Sequence, residues 1–211
     1  MADRVIIGLT GGIASGKSTV SRILQSYGAT IVDADKVGHS VYEPGTECLN
    51  DVVKAFGEGI ILDDGSGKLN RPALGKIVFS SPEKLVELNK IVWPYINREL
   101  KRRMDEHVEG ILVVEAAVMI EAGWAKKDSP YNEVWISWVS PQVAEARLMA
   151  RNNFSAEEAR KRINSQITND ERLKHANVAI ENNGAQSDLE KKVREQWNSL
   201  IERYKLNYSK Y

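Results

Sequence analysis

Eight consecutive residues, Gly11-Gly12-Ile13-Ala14-Ser15-Gly16-Lys17-Ser18, carry the spacing G-x-x-x-x-G-K-[ST]. Glycines in such a run let the backbone fold back so that successive N–H groups converge on phosphate oxygens. The amino terminus of the helix that follows adds roughly half a positive charge. A lysine placed as Lys17 is reaches β- and γ-phosphates, and the Ser18 hydroxyl is placed to ligate Mg²⁺. The implied chemistry is the handling of a nucleoside triphosphate. The loop alone does not separate a kinase from a GTPase, an ATPase or a nucleotide-dependent switch.

Three acids are placed to work beside that loop. Asp33 and Asp35 follow the apolar run Ala29-Thr30-Ile31-Val32, and Glu115 follows Ile111-Leu112-Val113-Val114. Reacting groups in open α/β sheets gather at the carboxyl ends of strands. In extended backbone Asp33 and Asp35 point the same way, and either can accept the proton of an attacking hydroxyl or cap a helix beginning at Lys36. Asp35 is taken as the base, with Asp33 mainly positioning. Glu115 is either a magnesium-associated acid or a structural hydrogen-bond acceptor.

Arg147 and Arg151 stand four apart in a helical stretch after Pro141, so both project from one face. That face suits a mobile segment closing over a transferred phosphoryl group, although the same spacing also marks a solvated helix. Arg160, Arg162 and Arg172 carry weaker signals. His39, His107 and His175 lack a metal-like or triad-like setting, and the five tryptophans read as core or interface residues first.

The elements that must position these groups follow from hydrophobic pattern. Val5-Ile6-Ile7-Gly8-Leu9, Ala29-Thr30-Ile31-Val32, Ile111-Leu112-Val113-Val114, Val134-Trp135-Ile136-Ser137-Trp138-Val139 and Asn177-Val178-Ala179-Ile180-Glu181 read as five strands. Helical patterns alternate with them, which predicts an α/β fold with a parallel sheet covered on both faces. Residues from about 42 to 108 read as a largely helical insertion, with a kink or break expected near Trp93-Pro94.

Lys plus Arg and Asp plus Glu both number 29 in the 211 residues, so no global charge points to nucleic acid or an anionic membrane. One cysteine, Cys48, excludes a disulfide framework and fits a reducing compartment. Neither a signal-peptide pattern nor an apolar run of the roughly 18 to 20 residues that spans a bilayer is present. A soluble, cytoplasmic protein is expected, and no feature specifies an oligomer.

A small GTPase is the nearest different class, because Asp64-Gly65-Ser66-Gly67 satisfies D-x-x-G. Asn89-Lys90-Ile91-Val92, however, has valine where an acid is needed to read guanine. Kinases of nucleoside monophosphates, shikimate or other small alcohols, and a non-catalytic nucleotide-binding module, are the other readings.

The assembled motifs resemble the dephospho-CoA kinase family, the enzymes of the last step of coenzyme A synthesis. The likeness runs nearly end to end: Leu9-Thr10-Gly11 through Ser18, Val32-Asp33-Ala34-Asp35, Glu43-Pro44-Gly45, Leu69-Asn70-Arg71 with Val78-Phe79, the two arginines, and Ala176-Asn177 through Asn182-Asn183-Gly184. Trp93-Pro94 replaces a common His-Pro, and Ala116-Ala117-Val118 a common Pro-Leu-Leu. Both differences, with Glu121-Ala122-Gly123-Trp124, resemble the kinase domain of eukaryotic coenzyme A synthases.

The resemblance implies a single P-loop kinase domain, a three-layer fold on a five-stranded parallel sheet like that of nucleoside monophosphate kinases. Its core comprises about 1–41, 109–141 and 170–211, with a helical substrate-binding insertion at about 42–108 and a helical lid at about 142–169. It implies ATP and Mg²⁺ as cofactors and phosphorylation of the ribose 3′-hydroxyl of dephospho-CoA. By carry-over, Gly11 to Thr19 (Gly11, Gly12, Ile13, Ala14, Ser15, Gly16, Lys17, Ser18 and Thr19) hold the nucleotide, Ser18 the metal, and Asn182 and Asn183 lie near adenine. Thr10, Asp33, Asp35, Arg71 and Glu115 belong to the acceptor side. Asp35 is the base, acting with Lys17, Arg147 and Arg151.

Overall fold

A strand that is almost wholly apolar has no face to turn toward water, and β1 (Arg4–Gly11) is buried at every position after Arg4, Thr10 included. In the computed structural model, which describes residues 4–126 and 128–208, β1 is central. It lies between β3 (Gly110–Glu115) and β4 (Glu133–Trp138), with β2 (Thr30–Asp33) and β5 (Val178–Glu181) outside them. The order is β2-β3-β1-β4-β5 and every neighbouring pair is parallel, as the strand–helix alternation predicts. The register sets Leu9 and Asp33 beside Glu115 and Gly11 beside Ser137. The carboxyl ends of β1 to β4 therefore share one edge of the sheet, where ligands of such sheets bind.

Two helices cover one face of the sheet. From α1 (Lys17–Ser26) come Val20 and Leu24, and from α9 (Gln186–Tyr204) come Leu189, Val193, Trp197, Leu200 and Ile201, all buried against Val5, Ile7, Leu9 and Trp135. The four-residue steps of α9 make a continuous apolar stripe. Trp197 is stacked edge-on by Tyr208 at 5.3 Å between ring centroids. Glu133, buried at the start of β4, accepts hydrogen bonds from the Trp135 indole at 2.7 Å and from two Arg203 nitrogens at 2.9 Å. A carboxylate so satisfied is tolerated in a core.

By its own contacts the chain divides into two compact units, Met1–Asp33 with Met104–Tyr211, and Ala34–Arg103. The first holds the sheet and, after β4, a helical hairpin of α6 (Pro141–Asn152) and α7 (Ala156–Asn164), then the short α8 (Asn169–Leu173). Ser140 caps α6 and Ser155 forms a capping box with Glu158 at α7, so both helices start where the sequence supplies an acceptor.

The second unit contains α2 (Ala34–Ser40), α3 (Glu47–Phe56), a 3₁₀ turn Glu58–Ile60, α4 (Arg71–Val78) and most of α5 (Pro82–Glu106). Thr46 and Asn70 cap α3 and α4. Its boundary lies before the expected 42, because β2 stops at Asp33 and passes directly into α2. Asp33 and Asp35 consequently do not alternate along one extended segment; Asp35 occupies the first turn of a helix that begins at Ala34, not Lys36.

The break expected at Trp93-Pro94 is absent, since α5 runs for 25 residues with Pro94 inside. An interior proline removes one hydrogen bond, at about 3 kcal/mol. Here Pro94 and Lys90 lie on the exposed face, where water reaches the freed carbonyl, while Val92, Ile96 and Leu100 are buried on the other. Asp64-Gly65-Ser66-Gly67 forms a local turn closed by the Ile61–Leu69 bridge, with Ser66 N donating to Asp64 Oδ1 at 2.9 Å, rather than following a sheet strand as a GTPase switch would. Among the described residues no helix is long and apolar enough to cross a membrane.

Candidate active site

The phosphate loop lies where the sequence places it, between the end of β1 and the start of α1. Gly16, the residue before α1, has φ 87°. It needs glycine twice over, because that angle disfavours L side chains and because a Cβ would run into the Asn182 amide. Ala14 also takes a positive φ, 59°, without that freedom. A left-handed alanine of this kind is strained, and strain of this sort concentrates at functional loops.

Lys17 and Ser18 open α1 and meet the acid at the end of β3. Lys17 Nζ lies 2.5 Å from Glu115 Oε1, and the Ser18 hydroxyl donates to the same oxygen at 2.9 Å. Burial pushes the Glu115 carboxyl up, but the Lys17 ammonium, with hydrogen bonds from Ser21 and Ser18, outweighs it and holds the group below the usual carboxylate range. The stability from this depressed value is complete above the unfolded glutamate pKa and is lost as pH falls through the folded one. Asp33 flanks Glu115 in register on β2, so two carboxylates and one ammonium share the sheet edge.

Ser18 is exposed and the Glu115 carboxylate adjoins it, a pair of hard oxygen donors suited to Mg²⁺. Among the described residues no cluster of three or more His, Cys, Asp or Glu could hold a metal. Magnesium at nucleotide sites takes only one or two protein oxygens beside phosphate and water, so the residues present fit it.

On the other side of the loop, Arg147 donates from Nη1 to the Ala14 carbonyl at 3.2 Å and from Nη2 to the Asn182 carbonyl at 2.8 Å. Asn182, buried, donates to the Ser15 carbonyl at 2.9 Å, and Asn183 accepts from Ser140 N at 2.8 Å. Both asparagines thus brace the loop and the start of α6. Arg147, Arg151, Asn182, Thr19 and Leu189 line one cavity of about 470 Å³ beside Ala14 and Gly16. Arg151 itself is exposed and donates to Asn152 Oδ1.

Thr10 is the last residue but one of β1. It is fully buried, with its hydroxyl toward the Ala117 carbonyl of the loop after β3 at 3.5 Å. In the second unit Arg71 is exposed at the start of α4, its guanidinium 5.4 Å from the centre of the Tyr42 ring. Asp35 is exposed in the first turn of α2. Gln166, which no motif singled out, accepts the Ile13 N–H at 2.7 Å. Its only sequence signal is its place shortly before β5, which pattern reasoning does not read.

A family model described as dephospho-CoA kinase matches residues 5–188. A dephospho-CoA kinase of Carboxydothermus hydrogenoformans is 41% identical over 203 residues, covering 95% of this chain and 94% of that protein. Among solved structures, TT1252 from Thermus thermophilus superposes with a TM-score of 0.75 at 30% identity, covering 93% of this chain and 98% of that one. A dephospho-CoA kinase from Campylobacter jejuni superposes with a TM-score of 0.71 at 26% identity over 95% and 98% of the two chains.

Proposed function

The chain belongs to the dephospho-CoA kinase family, and from that premise we propose how its own residues transfer the γ-phosphoryl group of ATP to the ribose 3′-hydroxyl of dephospho-CoA. The observation that carries the reading is the meeting of Lys17 and Ser18 with Glu115 at the carboxyl edge of the sheet. The backbone N–H groups of the loop and the start of α1 bind the β-phosphate, and Lys17, with three donors, reaches the β- and γ-phosphates while keeping one bond to Glu115. Ser18 and Glu115 would hold Mg²⁺, which would supply neutralisation of phosphate charge.

Asp35 accepts the proton of the 3′-hydroxyl as its oxygen bonds to the γ-phosphorus and the bond to the β-phosphate bridging oxygen breaks, leaving ADP. Asp33, on the sheet edge beside Glu115, positions the acceptor, and Arg71 with Tyr42 holds the coenzyme side. The cavity lined by Asn182, Gln186 and Leu189 takes the adenine end of ATP, and Arg147 and Arg151, which line it too, serve the polyphosphate. With its single buried thiol and no helix able to span a bilayer among the described residues, we place the protein in the cytosol.

The α6–α7 hairpin acts as the lid, and its two arginines should separate in kinetics. Arg147 organises the loop through Ala14, so Arg147→Ala raises the ATP KM as well as lowering kcat. Arg151 has no such anchor on the loop. Arg151→Ala lowers kcat by roughly 10²-fold, the scale of one transition-state donor, with a smaller change in KM. Parent-like turnover in Arg151→Ala, with unchanged hydrogen exchange over residues 142–165 on binding both substrates, would return α6 to a solvated surface helix.

The acceptor is tested by ADP release from ATP and Mg²⁺ with dephospho-CoA, adenosine monophosphate, shikimate or gluconate in turn. Dephospho-CoA should be used at least about 10²-fold more efficiently in kcat/KM than any other, the discrimination that a few unpaired polar contacts produce. Comparable use of another acceptor overturns the substrate assignment.

A further inference from the structure

Among the described arginines, Arg172 alone is buried, at 2% exposure. It projects from α8, and Thr168 fixes the start of that helix by accepting from Glu171 N. The partner it has is Glu121, whose Oε1 is 3.6 Å from Nη2, beyond hydrogen-bond reach. Neither Nε nor Nη2 has a hydrogen-bond partner among the described residues. The guanidinium faces the phosphate loop: a Cβ on Gly12 would lie 3.1 Å from Nη1, so a side chain at that position would press on it.

Ser15 belongs to the same setting. It is 1% exposed and its hydroxyl also lacks a partner among the described residues. Gly12, Ser15, Gln166 and Arg172 line one cavity of about 650 Å³, whose lining does not include Arg147. An arginine stays charged even when burial pulls its pKa down against the attraction of Glu121, as it does here. Burying that charge with two donor atoms unsatisfied is unfavourable unless something else arrives to meet them. The shape and donor pattern of a guanidinium suit the oxygens of phosphate.

We infer that Arg172, with Ser15, forms an anion subsite beside Gly12 that takes a phosphate group of a bound substrate. The inference rests on the phosphate-loop reading above and adds to it a fixed cation from α8. Lys17 approaches phosphate from α1, and Arg172 from α8. The group could belong to the donor's polyphosphate or to the acceptor's diphosphate, which share the same chemistry.

Calorimetric titrations separate these sources without turnover, so the inference stands or falls apart from the identity of the reaction. Parent, Arg172→Met and Arg172→Lys are each titrated with inorganic tripolyphosphate, dephospho-CoA and adenosine. Arg172→Met should lose at least about tenfold in affinity for tripolyphosphate if the donor is the source, or for dephospho-CoA if the acceptor is, roughly the worth of one charged hydrogen bond. Arg172→Lys should recover part of the loss, and adenosine, which has no phosphate, should bind as before. Unchanged affinity for both phosphate ligands overturns the inference, as does an equal loss for adenosine, which would mark Arg172 as a structural brace. Should Arg172→Met fail to fold, the Arg172 Nε–H resonance of the unaltered protein decides: a shift on adding tripolyphosphate or dephospho-CoA supports the subsite, and no shift with either overturns it.

Discussion

Asp35→Asn is expected to lower turnover by roughly 10² to 10⁴-fold, the contribution of a positioned general base. Asparagine keeps the size and much of the hydrogen bonding of aspartate and removes only the basic carboxylate. Asp35 is exposed in the first turn of α2, where a side chain opens toward solvent, whereas Asp33 ends β2 in register with Glu115. Asp33→Asn should therefore cost less, about tenfold, since it weakens acceptor positioning without removing the base. The deficit in Asp35→Asn should sit in kcat with ATP affinity nearly unchanged, because no part of ATP binding is assigned to that carboxylate. Steady-state kinetics of the two variants read this order directly, and a larger loss in Asp33→Asn would transfer the role of base to the strand end.

Lys17→Ala should lower turnover by at least about 10²-fold, because a preorganised charge aimed at developing transition-state charge contributes roughly 2.7 to 4 kcal/mol. The structure adds a complication that the motif does not reveal. Lys17 is also the partner of Glu115, with the two side chains 14% and 9% exposed. Its removal leaves a largely buried carboxylate with only hydroxyl donors, a loss on the order of 1–3 kcal/mol in stability. A fall in activity could then reflect partial unfolding. The double variant Lys17→Ala, Glu115→Gln separates the two effects, since it removes the unpaired charge along with the ammonium. Thermal melts should show stability largely restored relative to Lys17→Ala, while turnover stays well below that of Glu115→Gln alone, the comparison that sets aside the part Glu115 itself plays. Turnover that returned with stability would mean that Lys17 serves the fold and not the transfer.

Much of this was legible in the residues themselves. Five apolar runs became the five strands; the three inner ones, β3, β1 and β4, are buried almost throughout and so show no polar alternation, and β1 is the clearest instance. The phosphate loop was equally plain, since its glycines, lysine and serine are fixed by backbone geometry and phosphate chemistry at set spacings. Neighbouring detail was less so. Whether Asp35 extends a strand or starts a helix depends on where β2 loses its partner β3 at Glu115, a tertiary fact. The continuity of α5 through Pro94 depends on which side of the helix is buried, and that overrides the local tendency of proline to end it.

The site shows the same division. Glu115 was a candidate by its position after a strand, but its bonds to Lys17 and Ser18 join residues far apart in the chain. Thr10 stands inside the most informative segment of the sequence and is buried, as is every residue of β1 after Arg4, a burial that comes from the strand's central place in the sheet. Arg172 and Gln166 gave almost no signal, one among many charged residues and the other a lone amide. Their meaning comes from burial and from contact with Gly12 and Ile13.

The central claim is a transfer to one oxygen atom, and the position of a labelled phosphoryl group tests it most directly. With ATP labelled at the γ-phosphate, Mg²⁺ and dephospho-CoA, the label should appear in a product heavier by one phosphoryl group. Phosphorus–proton correlation should then connect that phosphorus to the ribose 3′-proton, with ADP formed in equal amount. Label found in free phosphate, or on any other oxygen of the coenzyme, would contradict the account.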